Sequence, residues 1–211
     1  MYIMKTIMDL RNYIAFQLDQ LKSNNEHHKF EDLCREIAKA KICSNILPST
    51  GPVAGGDGGR DFENFKTYIS EQLTNTNIFY GNSSQRNIVF ACTLQKDNVQ
   101  TKIKNDVKLI CESPLPVHDI NYFCSIPISI QKSKKLREWP LTNKNISLQI
   151  FDGKAISEFL SEEDLFWVAE QFLSVPLDYY PEKRNKELWY KECLEFWKTN
   201  SPNLYSYQLA S

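Results

Sequence analysis

Residues 87–94 read Asn-Ile-Val-Phe-Ala-Cys-Thr-Leu, a run that is apolar on both of its alternating faces. A strand of this kind is buried on both sides, which is typical of the interior of a sheet that helices cover. Apolar positions over residues 100–112 recur at helical spacing, and strands are predicted around 60–68, at 120–126 and at 146–151. This alternation predicts an α/β protein with residues 87–94 central in its sheet.

Further helices are predicted on both sides of this central region. Apolar residues at alternating steps of three and four predict one helix over residues 3–21 and a second from His28 to Ser44. Aromatic-rich helices are predicted at 154–173 and 183–198, after a turn at Asp152-Gly153. The expected architecture is a central mixed sheet flanked by helices, with extra helices at both ends of the chain.

Composition and cysteine usage exclude several classes of protein. The chain has 211 residues, of which 42 % are hydrophobic and 24 % charged, so a disordered or collagen-like chain is excluded. No apolar run approaches the roughly 20 residues of a membrane-spanning helix, so we predict no transmembrane segment, signal peptide or membrane partner. The cysteines never form C-x-x-C, which indicates reduced structural thiols in a cytoplasmic protein without zinc. They are Cys34, Cys43, Cys92, Cys111, Cys124 and Cys193.

The formal net charge of −1 averages two unlike parts of the chain. Residues 152–211 carry 6 basic and 11 acidic residues, a net charge of −5, which leaves +4 for residues 1–151. Basic residues cluster over 132–144, between two predicted strands, and along the helix predicted at 100–112. A solvated surface is the ordinary explanation, and binding of DNA phosphates is the functional one. The candidates for phosphate contact are Lys104, Lys108, Lys132, Lys134, Lys135 and Arg137.

Five of the seven glycines lie within residues 51–59. Such a concentration requires unusual backbone geometry or the close approach of another group. The segment ends Gly-Gly-Arg-Asp, whereas a P-loop ends Gly-Lys-Ser/Thr. A nucleotide-binding loop therefore stays a possible interpretation only if these glycines begin a helix. The other interpretation is a turn that delivers an acidic residue to the start of a strand. Carboxylates placed in this way suit Mg²⁺ and the hydrolysis of phosphodiesters.

Three pieces of sequence within about residues 28–126 support the second interpretation: Phe30-Glu31, Gly55-Gly56-Asp57-Gly58-Gly59-Arg60-Asp61, and the strand Val89-Phe90-Ala91-Cys92-Thr93. Together they resemble the Mrr-like branch of the PD-(D/E)xK restriction-endonuclease superfamily. The resemblance implies a restriction-endonuclease-like α/β fold and a metal ion, Mg²⁺ or Mn²⁺, held by Glu31 and Asp61. It makes Asp57 a turn-former within the glycine-rich turn of Gly55, Gly56, Gly58 and Gly59.

The sequence departs from this family at the third motif. Where the family has Glu or Gln, any residue, and then Lys on the central strand, the matching positions here are Ala91 and Thr93. Neither residue type binds a metal strongly or orients a water molecule as a lysine does. Three explanations are open: Gln95-Lys96 acts through an irregularity at the strand end, Lys102 reaches in from the following helix, or catalysis has been lost. The catalytic candidates are therefore Asp61, Gln95, Lys96 and Lys102.

A second resemblance lies near the carboxyl end of the chain. Residues 148–160, Leu-Gln-Ile-Phe-Asp-Gly-Lys-Ala-Ile-Ser-Glu-Phe-Leu, followed by Val175-Pro176, resemble the end of the nuclease effector domains that are fused to STAND-family NTPases in bacterial anti-phage defence. This resemblance implies activation by oligomerisation, with a STAND NTPase or sensor module in the same chain or a separate one. The expected partners are double-stranded DNA and further copies of this chain.

Both resemblances lead to one expected function and one division of the chain. We expect a Mg²⁺- or Mn²⁺-dependent endonuclease that cleaves double-stranded DNA with little sequence specificity. The alternative is an inactive domain of the same fold that binds DNA or assembles a complex. Residues 1–24 are expected to form an accessory or oligomerisation helix, 25–175 the nuclease core, and 176–211 a helical segment that is a possible linker to a further domain.

Other chemically suggestive residues have simpler explanations. Glu63 shares a strand face with Asp61 and is either a second metal ligand or a solvent-facing residue. His27, His28 and His118 lack the partners of a metal site, so surface or capping roles are favoured. The tryptophans Trp167, Trp189 and Trp197 lie on predicted helical stripes, where packing is favoured over base stacking.

Overall fold

The fold is built on a five-stranded mixed sheet. The computed structural model describes residues 6–48, 59–65, 86–180 and 195. Along the sheet the strands stand in sequence order. The first strand pairs antiparallel with the second and the second with the third, whereas the third, fourth and fifth run parallel to one another. The strands are β1 (Ile46–Pro48), β2 (Phe62–Asn64), β3 (Ile88–Thr93), β4 (Asp119–Cys124) and β5 (Ser147–Phe151).

Helices cover both faces of this sheet. On one face α1, α2, α5 and α6 share a core with Phe90 of β3 and Phe123 of β4. On the other face α3 packs against Val89, Ala91 and Tyr122, and α4 lies against α3 and β5. The helices are α1 (Ile7–Ser23), α2 (His27–Lys41), α3 (Val99–Glu112), α4 (Ile130–Lys144), α5 (Gly153–Leu160) and α6 (Phe166–Leu173), followed by a 3-10 turn at Leu177–Tyr179. The predicted α/β class, with a central mixed sheet flanked by helices, is confirmed.

The central position of β3 follows from its sequence. β3 pairs with β2 on one side and with β4 on the other. Its alternate residues Val89 and Ala91 enter one core, and Ile88 and Phe90 enter the other. Both faces are therefore apolar because both are covered, as the unbroken apolar run predicts.

Helix α1 is part of the same core rather than a separate layer. A capping box between Thr6 and Asp9 fixes its start. Its apolar stripe of Leu10, Ile14, Leu18 and Leu21 is buried against the chain itself. This stripe is consequently unavailable for pairing with another copy, and any partner would contact the outer face of the helix.

Four details of the predicted secondary structure were wrong. Helix α4 occupies the region expected to connect two strands; its apolar residues form no stripe, and Pro140 lies inside it. β1 was not predicted, because Pro48 indicated a break. The helix predicted over 154–173 is two helices, α5 and α6. Asp152-Gly153 is not a turn: the Asp152 carboxylate caps α5 by accepting from the Ala155 N–H at 3.1 Å.

Two further predictions fall wholly or partly outside the described residues. The helix at 183–198 lies there except for residue 195, which is helical. The strand around 60–68 is described only to residue 65, and its strand portion is β2.

Candidate functional site

Asp61 lies immediately before β2, at the edge of the central strand. Its backbone N–H donates to the carbonyl of Phe90 at 3.0 Å. Its carboxylate oxygen Oδ2 accepts from the backbone N–H of Cys92 at 2.5 Å and from the Cys92 thiol at 3.2 Å. β2 pairs with β3 only through Val89 and Phe90. The Asp61 backbone and carboxylate thus continue the hydrogen bonding along β3 beyond the end of its ladder with β2.

Glu31 approaches the same region from α2. Cys34, which lies one turn further along α2, is buried in the core against which Cys92 packs. Burial raises the pKa of the Cys34 thiol, the neighbouring Cys92 thiol opposes this, and the negative charges of Asp61 and Glu31 raise the pKa further. Glu31 therefore lies one helical turn from Cys34, and Asp61 contacts Cys92, which packs against the same core.

Both carboxylates already have partners within the protein. Glu31 accepts from His28 Nδ1 at 3.0 Å, and this bond raises the pKa of His28. Burial raises the pKa of Cys92 well above its ordinary value, with further contributions from Cys34 and Asp61, so the thiol remains a protonated donor to Asp61. Metal binding would have to compete with these two donors.

The set of metal-ligating side chains at this edge is small. Among the described residues, no group of three or more His, Cys, Asp or Glu side chains is placed to hold a metal. Mg²⁺ commonly takes only one or two protein carboxylates, with water and substrate phosphate completing its shell. Glu31 and Asp61 supply two carboxylates, the number that such a site requires. Asp57 and Gly55, Gly56 and Gly58 of the glycine-rich turn lie outside the described residues.

The two β3 positions that depart from the family motif are buried. Ala91 is 1 % exposed and Thr93 is 7 % exposed. The Thr93 hydroxyl accepts from the N–H of Gln95 at 3.1 Å, where the strand ends. The Gln95 side chain donates to the carbonyl of Asp97 at 2.6 Å. Neither Ala91 nor Thr93 presents a charged group to the Asp61 edge, and Gln95 is engaged in its own loop.

The two candidate lysines have different surroundings. Lys96 forms an ion pair with Asp19 of α1. Lys102 donates to Asp106 Oδ1 at 2.8 Å, and the Tyr122 hydroxyl donates to Asp106 Oδ2 at 2.6 Å. Burial, followed by the Asp106 charge, raises the pKa of Tyr122 far above its usual range, so its hydroxyl remains a donor.

The network of Lys102, Asp106 and Tyr122 adjoins the segment that ends at Asp61. A Cβ built on Gly59 would lie 3.3 Å from the carbonyl oxygen of Asp106, and Gly59 itself has a φ of +80°. The Asp61 charge also contributes to the raised pKa of Tyr122. Of the two lysines, Lys102 is therefore the one whose network contacts this segment. Sequence reasoning missed Asp106 and Tyr122; the available signal was an acidic residue on the apolar face of α3.

Several minor candidates have structural partners. Arg60 is buried, and its guanidinium donates to Glu63 at 3.1 Å and to the carbonyl of Leu115 at 3.4 Å. Glu63 is thus the ion-pair partner of Arg60. His118 Nδ1 accepts from the N–H of Asn87 at 2.9 Å and helps to align the starts of β3 and β4. Trp167 is exposed on α6, and Trp189 and Trp197 lie outside the described residues.

Three of the six predicted phosphate-contacting residues lie together. Lys104 of α3 and Lys132 and Lys135 of α4 line a cleft of about 460 Å³ that also contains Trp139. Lys132 additionally lines an adjoining cleft of about 350 Å³ that reaches Lys96. The remaining three do not line either cleft: Lys108 pairs with Glu112 at 3.7 Å, Lys134 is exposed elsewhere on α4, and Arg137 is half-buried.

Comparison with known proteins identifies no relative. No protein-family model, no curated protein and no solved structure matches this chain. Within the described ranges, none of the helices combines the length and apolarity needed to cross a bilayer. The carboxylate edge at Asp61 and the lysine-lined cleft are the two features that bear on function.

Proposed function

We propose that this protein is a Mg²⁺- or Mn²⁺-dependent endonuclease that cleaves double-stranded DNA with little sequence specificity. The observation that carries the proposal is the position of Asp61 beside β3, where its carboxylate accepts from the Cys92 amide and thiol, with Glu31 on α2 one turn from Cys34. A restriction-endonuclease-like fold is part of the proposal. It is supported by the placement of Glu31 on a helix that packs on the sheet and of Asp61 at the start of the strand beside the central one.

In this proposal Glu31 and Asp61 hold the metal ion. When bound, such an ion activates water and neutralises charge that develops on the scissile phosphate. The Cys92 amide and thiol hold the Asp61 carboxylate in a fixed orientation at the edge of β3. His28 orients Glu31 in the same way.

Lys102 supplies the positive charge that the family places on the central strand. Its side chain is 43 % exposed, so the ammonium can contact a phosphate while Asp106 holds it. Tyr122, which pairs in register with Ala91, fixes Asp106 from the sheet side. Lys96 is the weaker candidate because its ammonium is bound to α1.

Double-stranded DNA is the proposed substrate because basic residues are concentrated away from the acidic carboxyl end. Lys104, Lys132 and Lys135 would contact phosphates, which gives affinity without reading sequence. Cleavage of both strands requires two copies of the site, so we propose a homo-oligomer as the active form. Activation by a STAND NTPase in anti-phage defence, in the cytoplasm, remains part of the proposal on the strength of the resemblance at residues 148–160.

A second candidate is a DNA-binding domain without catalysis. The observation that favours it is the burial of Ala91 and Thr93, together with the neutralisation of Lys102 by Asp106. In that case the lysine-lined cleft would bind DNA, and Glu31 and Asp61 would bind no metal ion.

Plasmid nicking distinguishes the two candidates. Supercoiled plasmid is incubated with the protein, with Mg²⁺, Mn²⁺ or EDTA, alone and after forced dimerisation through a fused dimer tag. The variants are Asp61→Asn, which keeps the side-chain shape and an acceptor for Cys92, Lys102→Ala, and the controls Lys96→Ala and Lys134→Ala. The proposal expects metal-dependent nicking that Asp61→Asn and Lys102→Ala abolish and that both controls retain.

The contrary outcomes are equally specific. DNA retardation without nicking in any metal supports the binding-only candidate. Equal nicking by wild type and Asp61→Asn overturns the assignment of the active site. Loss of nicking in Lys96→Ala but not in Lys102→Ala transfers the lysine role to Lys96. Circular dichroism of every variant separates loss of activity from loss of fold.

A further inference from the structure

The cleft between α3 and α4 has a composition that the nuclease proposal does not explain. Its volume is about 460 Å³, within the usual range for small-molecule sites. Beside the polar Gln100 and Thr101, its wall includes apolar side chains from both helices and from β5, namely Ile103, Val107, Leu136 and Leu148. A surface that only followed a DNA backbone would need lysines but no apolar recess.

Three lysines line this recess. Within residues 6–48, 59–65 and 86–180, Lys104, Lys132 and Lys135 form no ion pair, whereas Lys102 and Lys108 of the same helix α3 are both paired. Three like charges around one cleft repel one another, and a bound anion relieves that repulsion. The cleft is therefore electrostatically suited to an anionic ligand.

Trp139 supplies the aromatic component of the same cleft. It is half-buried on α4, one turn beyond Lys135, and it shares the cleft wall with Leu136. An indole face beside an apolar wall favours a planar ring, and stacking of a nucleobase on an aromatic side chain contributes about 1–3 kcal/mol. A ligand that combines a planar ring with an anionic group would contact both the apolar wall beside Trp139 and the three lysines.

We propose that this cleft binds a nucleoside 5′-phosphate, with the base against Trp139 and the phosphate on Lys104, Lys132 and Lys135. The same chemistry is presented by a free mononucleotide and by an unpaired nucleotide within a single strand. A base paired inside a duplex cannot enter a recess of this kind without leaving its stack. The site thus recognises a nucleotide whose base is free.

This site is distinct from the carboxylate edge. Lys102 and Lys104 are two residues apart, so they project from α3 about 200° apart around its axis. Lys102 and Asp106 lie towards Gly59, whereas Lys104 faces α4. Nucleotide binding here needs neither Glu31 nor Asp61 and needs no metal ion.

Calorimetric titration in EDTA tests the proposal with four probes: 5′-AMP, adenosine, inorganic phosphate and a ten-residue deoxyadenosine single strand. We expect 5′-AMP or the single strand to bind at least about fivefold more tightly than adenosine or phosphate. Only these two probes carry both a base that stacks on Trp139 and a phosphate that contacts the lysines. Preference for 5′-AMP indicates a free mononucleotide as the ligand. Preference for the single strand indicates an unpaired nucleotide in DNA.

The variants have a matched control on the same helix. Lys132→Ala removes an exposed cleft lysine, and Trp139→Phe reduces the stacking surface while keeping an apolar ring; each is expected to weaken binding at least about fivefold. Lys134→Ala removes an equally exposed lysine outside the cleft and is expected to have no effect. Asp61→Asn is also expected to bind normally, so failure of the nuclease proposal leaves this result intact.

The proposal is overturned by any of three results with folded protein. These are no binding of either 5′-AMP or the single strand at millimolar concentration, phosphate binding as tight as that of both 5′-AMP and the single strand, or equal binding by wild type, Lys132→Ala and Trp139→Phe. Intact plasmid nicking together with any of these results rejects the nucleotide site alone.

Discussion

Replacing Gly153 with alanine is expected to destabilise the protein through a steric clash with a neighbouring backbone. A Cβ on Gly153 would lie 2.1 Å from the carbonyl oxygen of Ser125 and 2.9 Å from its carbonyl carbon. Ordinary contact begins near 3.4 Å, so the two backbones must separate by about 1.3 Å. Both atoms belong to the main chain, and no side-chain rotation relieves the contact.

The surrounding hydrogen bonds oppose that separation. Asp152 joins the two segments, because its carboxylate accepts from the N–H of Ile128 at 2.8 Å and from that of Ala155 at 3.1 Å. The hydroxyl of Ser157 donates to the carbonyl of Gly153 at 2.7 Å. Moving the start of α5 away from Ser125 therefore stretches the bond that holds Ile128 or weakens the helix cap.

The expected loss of stability results from these opposing effects. Overpacking of this kind costs about 1–3 kcal/mol, and loss of a side-chain cap costs about 1 kcal/mol. The better helix propensity of alanine offsets roughly 0.5–1 kcal/mol. We expect the free energy of unfolding of Gly153→Ala to fall by about 2–3 kcal/mol, and Tm to fall by roughly 5–10 °C.

Urea denaturation followed by far-ultraviolet circular dichroism measures this difference. Lys154→Ala is the matched control: it changes the next position of the same helix, where the side chain is exposed, and is expected to stay within about 0.5 kcal/mol of wild type. A Gly153→Ala protein as stable as its control would show that α5 does not approach Ser125 as closely as the structure has it, and the reasoning would fail.

Three other predictions concern stability and its dependence on pH. Tyr122→Phe removes a donor from the buried Asp106 and should lower the free energy of unfolding by about 1–3 kcal/mol in urea denaturation; no change would show that Asp106 does not depend on this bond. Burial raises the pKa of Cys43 to about 12 from 9.0. The unfolded chain therefore releases this thiol proton first, so stability is unaffected below pH 9.0 and declines as pH rises above it. Cys43→Ala should reduce that decline by about 1.4 kcal/mol per pH unit in urea titrations between about pH 9 and 11, and parallel curves would contradict the raised pKa. Thr6→Ala breaks the capping box with Asp9 and should reduce stability by about 1 kcal/mol in the same denaturation assay, with an unchanged midpoint counting against a structural role for the cap.

The sequence predicted best those elements in which the spacing of apolar residues matches the faces that they bury. β3 is apolar throughout because both faces are covered, and α1, α2 and α3 each carry a stripe that enters a core. Helix α4 carries no such stripe. Its lysines face solvent or the cleft, and Pro140 is the only residue of the helix that is buried, so neither periodicity nor propensity indicated a helix there.

The sequence indicated candidate site residues only where they belong to a recognisable motif. Glu31 and Asp61 became candidates through the family resemblance of Phe30-Glu31 and residues 55–61. The bond from Cys92 to Asp61 depends on β2 beginning directly after Asp61, and the burial of Asp106 depends on Tyr122 lying beneath α3. Similarly, Lys104 and Lys132 are 28 positions apart and meet only because α4 packs beside α3. Such contacts arise from tertiary packing and have no local signature.

Helix α3 contributes residues to both proposed sites. Lys104 faces the nucleotide cleft, and Lys102 with Asp106 adjoins the segment leading to Asp61. A ligand that drew α3 towards α4 would withdraw Lys102 and Asp106 from Gly59 in the same movement. Occupancy of one site would then change the affinity of the other by the same factor in both directions, because such coupling is reciprocal.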